Sequence, residues 1–282
     1  MSILEKMAGW CVLVVAITIA AMPASAQQRA ENEFQPTVGQ AGKDVIWVPT
    51  PPELIEKLFQ MAAIKPSDFV IDLGSGDGRI AIMAAKKYGA RAMGIEYNPD
   101  MVALSNRAAQ REGVADKVKF VKADIFESDF SQATIITMYL LPDLNLKLRP
   151  KILEMKPGTR IASHQFTMGE WQPDEAANID SRQALFWVVP AKVGGTWRLR
   201  IDGGAQDAEL TLKQSFQMIE GTLKVGANTL ALVEPTLRGD QIRFRVAEGG
   251  ASREYTGRVS GNGIEGSARS GGGEARWQAT RR

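Results

Sequence analysis

The segment from residue 70 to residue 80, VIDLGSGDGRI, constrains the fold of this chain more than any other part of the sequence. A short apolar run passes through three closely spaced glycines into a helical pattern. Glycine is needed where the backbone turns tightly or where a ligand must approach without meeting a Cβ. The start of a helix also offers free N–H groups and a partial positive charge. The segment therefore predicts a buried strand, a turn that holds a ligand and a helix; a tight turn without a ligand is the alternative.

The spacing of the glycines limits the classes of ligand that the turn can bind. Asp72, Gly74, Gly76 and Gly78 form the pattern D-x-G-x-G-x-G, whereas a dinucleotide fingerprint needs glycine where Arg79 stands. A phosphate-binding P-loop needs Gly-Lys-Ser/Thr, which this segment does not contain. An acidic residue at the entrance of the loop suits a ligand with a cationic amino group better than a pyrophosphate.

Two further acidic residues follow the next two apolar runs. Glu96 ends the second run, about 20 residues after Gly76, where a carboxylate can accept both ribose hydroxyls of a nucleoside. Asp124 follows the third run and can accept from an adenine amino group, while Ile125 or Phe126 packs on the ring. The three acids together predict a nucleoside site.

Residues 45 to about 190 alternate short apolar runs with helical patterns. Strands are predicted at residues 69–71, 92–95, 118–121, 134–141 and 160–163. Helices are predicted at residues 51–62, 80–88, 100–110 and 144–155. Thr50 is expected to cap the first helix, with Pro51 at its first position and Glu53 completing a capping box. Alternating strands and helices imply right-handed crossovers and a mainly parallel sheet covered on both faces.

The composition changes at about residue 192. The remaining residues hold 16 of the 27 glycines and 11 arginines, in short alternating patterns such as residues 210–218 and 242–246. Turns are predicted at residues 248–250 and 261–263. Six to eight short strands of this kind indicate a small antiparallel barrel or sandwich. Residues 196–201 fit either the end of the first sheet or the start of this second one.

The first 26 residues have the pattern of an export signal. Lys6 precedes an apolar run from residue 10 to residue 21, shorter than the roughly 20 residues of a spanning helix. Residues 24–26, Ala-Ser-Ala, fit a cleavage site. The expected mature chain begins at Gln27, contains no cysteine because Cys11 is removed, and is exported to the periplasm or secreted. An uncleaved membrane anchor is the alternative.

The motifs from residue 47 to residue 190 resemble the class I S-adenosylmethionine-dependent methyltransferases. The resemblance implies that S-adenosylmethionine (SAM) is the cofactor, that Asp72, Gly74, Gly76 and Gly78 form the cofactor loop, and that no metal is required. Glu96 would bind the ribose and Asp124 the adenine. It also implies a Rossmann-like seven-stranded sheet with the acceptor site at the carboxyl ends of strands four and five.

A narrower likeness rests on the segment VPTP at residues 48–51 and on the glycine loop. These segments resemble the mitochondrial protein-lysine methyltransferases that modify the adenine nucleotide translocase and the ATP synthase c-subunit. The likeness implies a lysine acceptor. The signal segment and the glycine-rich C-terminal part are departures from that family.

Candidates for the acceptor site follow strands four and five. Tyr139 can orient an acceptor or stack on a cationic amine, Asp143 can attract one, and His164 can accept a proton near neutral pH. Each has a structural alternative: Tyr139 as a packed strand residue, Asp143 as the cap of the next helix, and His164 as a satisfied strand-end side chain. Trp171 is expected to pack in a lid.

The chain is therefore expected to be an α/β methyltransferase with a signal peptide (1–26), an arm (27–46), a methyltransferase domain (47–191) and a small antiparallel β domain (192–282). Protein lysine is the favoured acceptor and a small molecule the next. Nucleic acid is not expected, because the net charge is only +2. Export makes membrane or envelope association conceivable. The rival hypothesis is a non-catalytic envelope protein that retains a nucleoside pocket and binds through its β domain.

Overall fold

The computed structural model describes residues 34–204, 207–248 and 250–282. The predicted signal segment 1–26 and residues 27–33 of the arm lie outside the described residues. Within the described ranges, no helix is both long enough and apolar enough to cross a membrane.

The first sheet has seven strands in the order β3-β2-β1-β4-β5-β7-β6. Its strands are β1 (Phe69–Leu73), β2 (Arg91–Glu96), β3 (Val118–Lys122), β4 (Ile135–Met138), β5 (Arg160–His164), β6 (Glu175–Ile179) and β7 (Arg182–Val188). The pairs from β3 to β5 are parallel, and β7 pairs antiparallel with both β5 and β6. The predicted seven-stranded Rossmann-like sheet is confirmed, and residues 185–188 belong to its last strand in the chain.

Four helices flank this sheet in the described part of the chain: α1 (Pro52–Met61), α2 (Arg79–Tyr88), α3 (Pro99–Arg111) and α4 (Pro142–Leu153). Helix α2 ends at Gly89, whose φ of 71° is the left-handed conformation that glycine adopts easily. Helix α3 begins after Asn98, whose side chain accepts a hydrogen bond from the backbone N–H of Asp100. These local signals explain why the predicted and observed bounds agree within two residues.

The start of α1 differs from the prediction. The helix begins at Pro52, its N-cap is Pro51, and no side chain caps it. Thr50 instead hydrogen-bonds to His164, 114 residues away along the chain. The Thr50 hydroxyl, which the local spacing predicted to cap the helix, therefore binds a buried imidazole instead.

The fourth strand is shorter than predicted, because residues 139–141 leave the strand and α4 begins at Pro142. The N-cap of α4 is Leu141, so Asp143 lies within the first turn and does not cap the helix. An acidic residue at this place interacts favourably with the helix dipole.

The second sheet is antiparallel and has nine strands in the order β11-β10-β9-β8-β16-β15-β14-β13-β12. Its strands are β8 (Gly195–Ile201), β9 (Ala208–Ser215), β10 (Met218–Val225), β11 (Asn228–Ala231), β12 (Val233–Arg238), β13 (Gln241–Glu248), β14 (Ala251–Ser260), β15 (Gly263–Ser270) and β16 (Gly273–Arg281). Only Leu232 separates the two edge strands β11 and β12, so the sheet must curl until its edges meet. The predicted antiparallel β structure is confirmed, nearly closed into a barrel and with more strands than expected, and residues 196–201 belong to it.

Residues 36–282 form one compact unit in which the two sheets contact each other. The backbone N–H of Ala191 donates to Gly239 O at 2.8 Å, and Arg238 donates to Glu175 Oε1 at 2.8 Å. Phe216, at the turn between β9 and β10, stacks on Trp171 with ring centroids 6.0 Å apart. The chain passes from the first sheet to the second between β7 and β8, and the domain boundary at residues 191/192 stays a prediction.

Candidate active site

A pocket opens where β1, β2 and β3 end, and part of the N-terminal arm covers it. The sequence-predicted residues that line it are Asp72, Gly74, Gly76, Glu96, Asp124 and Tyr139. The carboxyl ends of parallel strands lie at one edge of a sheet, which is why residues 50 positions apart in the chain meet here.

Two glycines of the loop have different physical roles. A Cβ on Gly76 would lie 2.7 Å from Nε1 of Trp47, so only glycine lets Trp47, the first residue after the arm, lie against the loop. A Cβ on Gly78 would meet Phe120 and Ser105 instead, at 2.5 Å and 2.8 Å. Gly78 therefore permits close packing of α2 against β3 and α3, and it does not line the pocket.

Asp72 is a buried acid with one unsatisfied oxygen. Its Oδ1 accepts a hydrogen bond from Thr137 Oγ1 at 2.7 Å, whereas the buried Oδ2 has no partner among the described residues. Burial, together with the negative charges of Asp77 and Glu96, raises the pKa of Asp72 to about 7. A cation in the pocket would satisfy Oδ2 and stabilise the carboxylate.

Glu96 is fixed by the backbone on both of its oxygens. Oε2 accepts from the N–H of Gly76 and Oε1 from the N–H of Asn98, each at 2.9 Å. Each carboxylate oxygen can accept about two hydrogen bonds, so both retain capacity for hydroxyl donors. The glycine loop and the acid at the end of β2 are thereby held as one unit.

Asp124 lies at the far end of the pocket, where the arm contacts it. Lys43 donates to its Oδ2 at 2.5 Å, and the N–H of Phe126 donates to its Oδ1 at 2.9 Å. Lys43 holds the pKa of this carboxyl below its usual range. The ammonium of Lys43 also lies 4.8 Å from the centre of the Tyr97 ring.

The opposite end of the pocket is aromatic and apolar. Tyr139 stacks on His164 with ring centroids 3.7 Å apart and on Phe166 at 6.0 Å. Leu140, Leu141 and Leu144 complete this side of the lining. An acceptor group placed here would be surrounded by hydrocarbon rather than by charge.

His164 lies behind Tyr139 and does not line the pocket. Its Nδ1 is hydrogen-bonded to Thr50 Oγ1 at 3.0 Å. Burial, together with the positive charge of Arg182, lowers the pKa of His164 to about 4. The expectation that His164 accepts a proton near neutral pH therefore does not agree with the structure, because a buried imidazolium would be poorly solvated.

Asp143 is exposed in the first turn of α4 and is absent from the pocket lining. The structure thus brings Tyr139 and His164 together and leaves Asp143 outside. Trp171 is fully buried, as a packing residue would be.

The loop after β5, residues 165–174, is held in place by long-range contacts. Asn145 donates to the carbonyls of Phe166 and Thr167, each at 3.2 Å, and Trp187 Nε1 donates to Trp171 O at 2.8 Å. From the second sheet, Gln217 donates to Gln172 O at 2.8 Å. These contacts fix the loop that carries Phe166 beside Tyr139.

Residues 72–175 match the family described as the ANTKMT methyltransferase domain. A protein-lysine N-methyltransferase of Saccharolobus islandicus is 39% identical over 138 residues, which cover 48% of this chain and 86% of that protein. The chain belongs to this methyltransferase family. It is a SAM-dependent enzyme, and the rival hypothesis of a non-catalytic envelope protein finds no support in these matches.

Two other similarities are to a second lysine methyltransferase and to a protein described as an RNA methyltransferase. The human ATP synthase c-subunit lysine N-methyltransferase is 37% identical over 129 residues, 45% of this chain and 54% of that protein. A crystal structure described as an RNA methyltransferase from Salinibacter ruber, with bound S-adenosylhomocysteine, is 44% identical, with a TM-score of 0.51. That similarity covers 52% of this chain and 96% of the other. All three matches leave about half of this chain uncovered.

The pocket of this methyltransferase fits the cofactor of its family. The unsatisfied buried Oδ2 of Asp72 suits the amino group of SAM, and Glu96 has capacity for two hydroxyl donors. The space around Gly76 is narrow enough that a Cβ at this position would obstruct it.

Four residues of the site were not predicted from the sequence: Lys43, Trp47, Thr50 as a partner of His164, and Thr137 as a partner of Asp72. Thr137 had a visible signal, since it is the one polar residue within the apolar run of β4. Trp47 and Lys43 gave none, because the arm has no periodicity that would place it over the pocket.

Proposed function

We propose that this methyltransferase transfers a methyl group to lysine side chains of proteins. The observation that carries the proposal is the 39% identity to an archaeal protein-lysine N-methyltransferase across 86% of that protein. The similarity to the human ATP synthase c-subunit lysine N-methyltransferase, which spans about half of that protein, points to the same acceptor class.

The proposed roles follow from the contacts in the pocket. Asp72 holds the amino group of the cofactor, Glu96 the ribose hydroxyls and Asp124 the adenine amino group, in exchange for Lys43. Gly74 and Gly76, which line the pocket, let the cofactor approach the backbone of the loop. When bound, SAM supplies a methyl group already activated by its sulfonium, so alignment of the nucleophile accounts for most of the rate gain.

The acceptor end of the pocket suits an amine that has lost its proton. A lysine ammonium has no lone pair and cannot attack, and burial in an apolar environment lowers the pKa of an amine. Tyr139, Phe166 and Leu144 provide that environment and a ring face on which an approaching cation is attracted. His164, neutral at pH 7, holds the Tyr139 ring from behind.

RNA is the second candidate acceptor, because the Salinibacter ruber relative is described as an RNA methyltransferase. The arginines of the second sheet argue against it. Eight of them form ion pairs with carboxylates: Arg198, Arg200, Arg238, Arg243, Arg245, Arg258, Arg269 and Arg282. Paired guanidinium groups offer little of the excess positive charge that binds phosphates.

The test is transfer of a radiolabelled methyl group from SAM by the purified full chain, with host proteins and host RNA as parallel substrates. We expect label in protein that survives ribonuclease, and loss of that label when lysines are acetylated beforehand. Mass spectrometry should find methylated lysine. Label that ribonuclease removes would establish RNA as the acceptor, and label on acetylated protein would exclude lysine.

Two variants test the acceptor end of the pocket. Tyr139→Phe should lower turnover by roughly threefold to tenfold, the value of one neutral hydrogen bond, and leave the Kd for SAM unchanged. Asp143→Ala is the matched control, because Asp143 is exposed on the helix that follows and does not line the pocket. Equal turnover in Tyr139→Phe and wild type would show that the hydroxyl of Tyr139 does not contribute to the reaction.

A further inference from the structure

The interior of the second sheet is filled unequally. Toward the methyltransferase sheet, three aromatic rings pack together: Phe244 and Tyr255 stack at 4.7 Å, and Trp277 meets them edge-on at 5.9 Å and 5.7 Å. Away from that sheet, between the turns that join β8 to β9 and β15 to β16, the interior holds a cavity of about 490 Å³. That volume lies within the range of small-molecule sites.

The cavity exists because its lining combines apolar side chains with small ones. Leu199, Leu223 and Val225 contribute hydrocarbon, whereas Ala208 and the backbone of Gly271 and Gly272 leave space. A small barrel usually fills its interior with larger residues at such positions. The walls therefore favour an apolar chain.

Among the residues that the structure describes, Arg253 is the one charged residue that lines this cavity. It pairs with Val246 across the sheet, and directly paired residues of antiparallel strands lie on the same face. Val246 is buried inside, so Arg253 also lies on the interior face, at the mouth. It forms no ion pair with any residue that the structure describes.

The neighbouring arginines behave differently. Arg243 pairs with Glu254, and Arg269 pairs with Glu274, all on the outer face. Arg253 differs from them because it lies on the interior face, is exposed at the rim of an apolar cavity, and has no counter-ion among the described residues.

We propose that this cavity binds a small amphipathic carboxylic acid, with its hydrocarbon chain inside the barrel and its carboxylate on Arg253. Burial of the chain supplies most of the binding energy, in proportion to the apolar area removed from water. The planar guanidinium pairs with a carboxylate through two parallel hydrogen bonds, which selects an acid over an alcohol of the same length. The site is independent of the methyl acceptor.

The test is calorimetric titration of the full chain with decanoate and with decanol, both below the concentration at which decanoate forms micelles. We expect one decanoate per chain and at least tenfold weaker binding of decanol. Arg253→Gln should weaken decanoate binding by about tenfold or more and leave decanol within about threefold. Arg276→Gln, an exposed arginine of β16 that does not line the cavity, is the matched control and should bind both as wild type does.

A second variant tests the cavity itself. Leu230→Trp on the edge strand β11 places a larger side chain in the cavity, and it should abolish binding of both probes while the thermal unfolding midpoint stays near that of wild type. Failure of decanoate to bind the wild-type chain overturns the proposal. So does equal binding of decanoate and decanol, or an equal loss in Arg253→Gln and Arg276→Gln. Retained binding in a folded Leu230→Trp chain would place the ligand elsewhere.

Discussion

Protonation of Asp72 should control how tightly the cofactor binds. The structure gives this buried acid a pKa of about 7 and leaves Oδ2 without a partner among the described residues. In the proposed cofactor site, the cationic amino group of the cofactor requires the ionised carboxylate of Asp72. Binding must therefore expel the proton whenever the free enzyme carries one.

The sign and size of the effect follow from the pKa. The pKa of free Asp72 is raised, so its charged form is lost as the pH falls through 7. At pH 6 about one-tenth of the free enzyme is ionised, and at pH 7.5 about three-quarters. The Kd should therefore be about eightfold weaker at pH 6 than at pH 7.5, and about 0.9 proton should be released per ligand bound at pH 6.

S-adenosylhomocysteine is the suitable ligand, because it retains the amino-acid group and cannot react. Calorimetry at pH 6 in two buffers with different ionisation enthalpies counts the protons directly. Asp72→Asn should bind roughly tenfold to a hundredfold more weakly at pH 7.5, with no dependence on pH in this range. Asp129→Asn, at an exposed acid outside the pocket, should keep the wild-type profile.

A Kd that stays constant from pH 6 to pH 7.5 would contradict this role of Asp72, and so would a pH dependence that survives in Asp72→Asn. Asp124 should not contribute to the pH dependence of the Kd, because Lys43 lowers the pKa of that carboxyl and keeps it ionised between pH 6 and pH 7.5. His164 should not change the Kd in this pH range either, because its pKa of about 4 leaves it neutral.

Two other predictions concern the contact between the sheets and the N-terminus. Phe216→Ala removes a half-buried ring from Trp171 and should lower the free energy of unfolding by about 1–3 kcal/mol in a denaturant titration. Met218 lies on the same hairpin and is 69% exposed, so Met218→Ala should change the free energy of unfolding by less than about 0.5 kcal/mol. Equal losses of stability in the two variants would show that the contact of Phe216 with Trp171 does not stabilise the chain. We also propose export with cleavage after Ala26, so N-terminal sequencing of the protein from its host should begin at Gln27. A membrane fraction that retains the full N-terminus would favour the anchor instead.

Local sequence was sufficient for much of the first sheet. The glycines after β1 and the glycine that ends α2 act within a few residues, so local sequence predicted the turn and the end of this helix correctly. Periodicity failed at residues 139–141, because an apolar run cannot show where a strand gives way to a helix that starts at Pro142.

Sequence patterns alone were enough to predict the class of the first sheet, the acids at the ends of its first three strands and the change to antiparallel strands near residue 192. Three contacts become visible only in the folded chain: Thr50 binds His164 rather than capping α1, Lys43 of the arm and the adjoining Trp47 cover the pocket, and Phe216 reaches the loop beside Tyr139. The physical reason is the distance over which each effect acts. Glycine conformation, helix caps and strand alternation depend on residues that are neighbours in the chain. The burial that shifts the pKa of Asp72, and the curling of the second sheet that leaves a cavity beside Tyr255, arise only when distant strands pair.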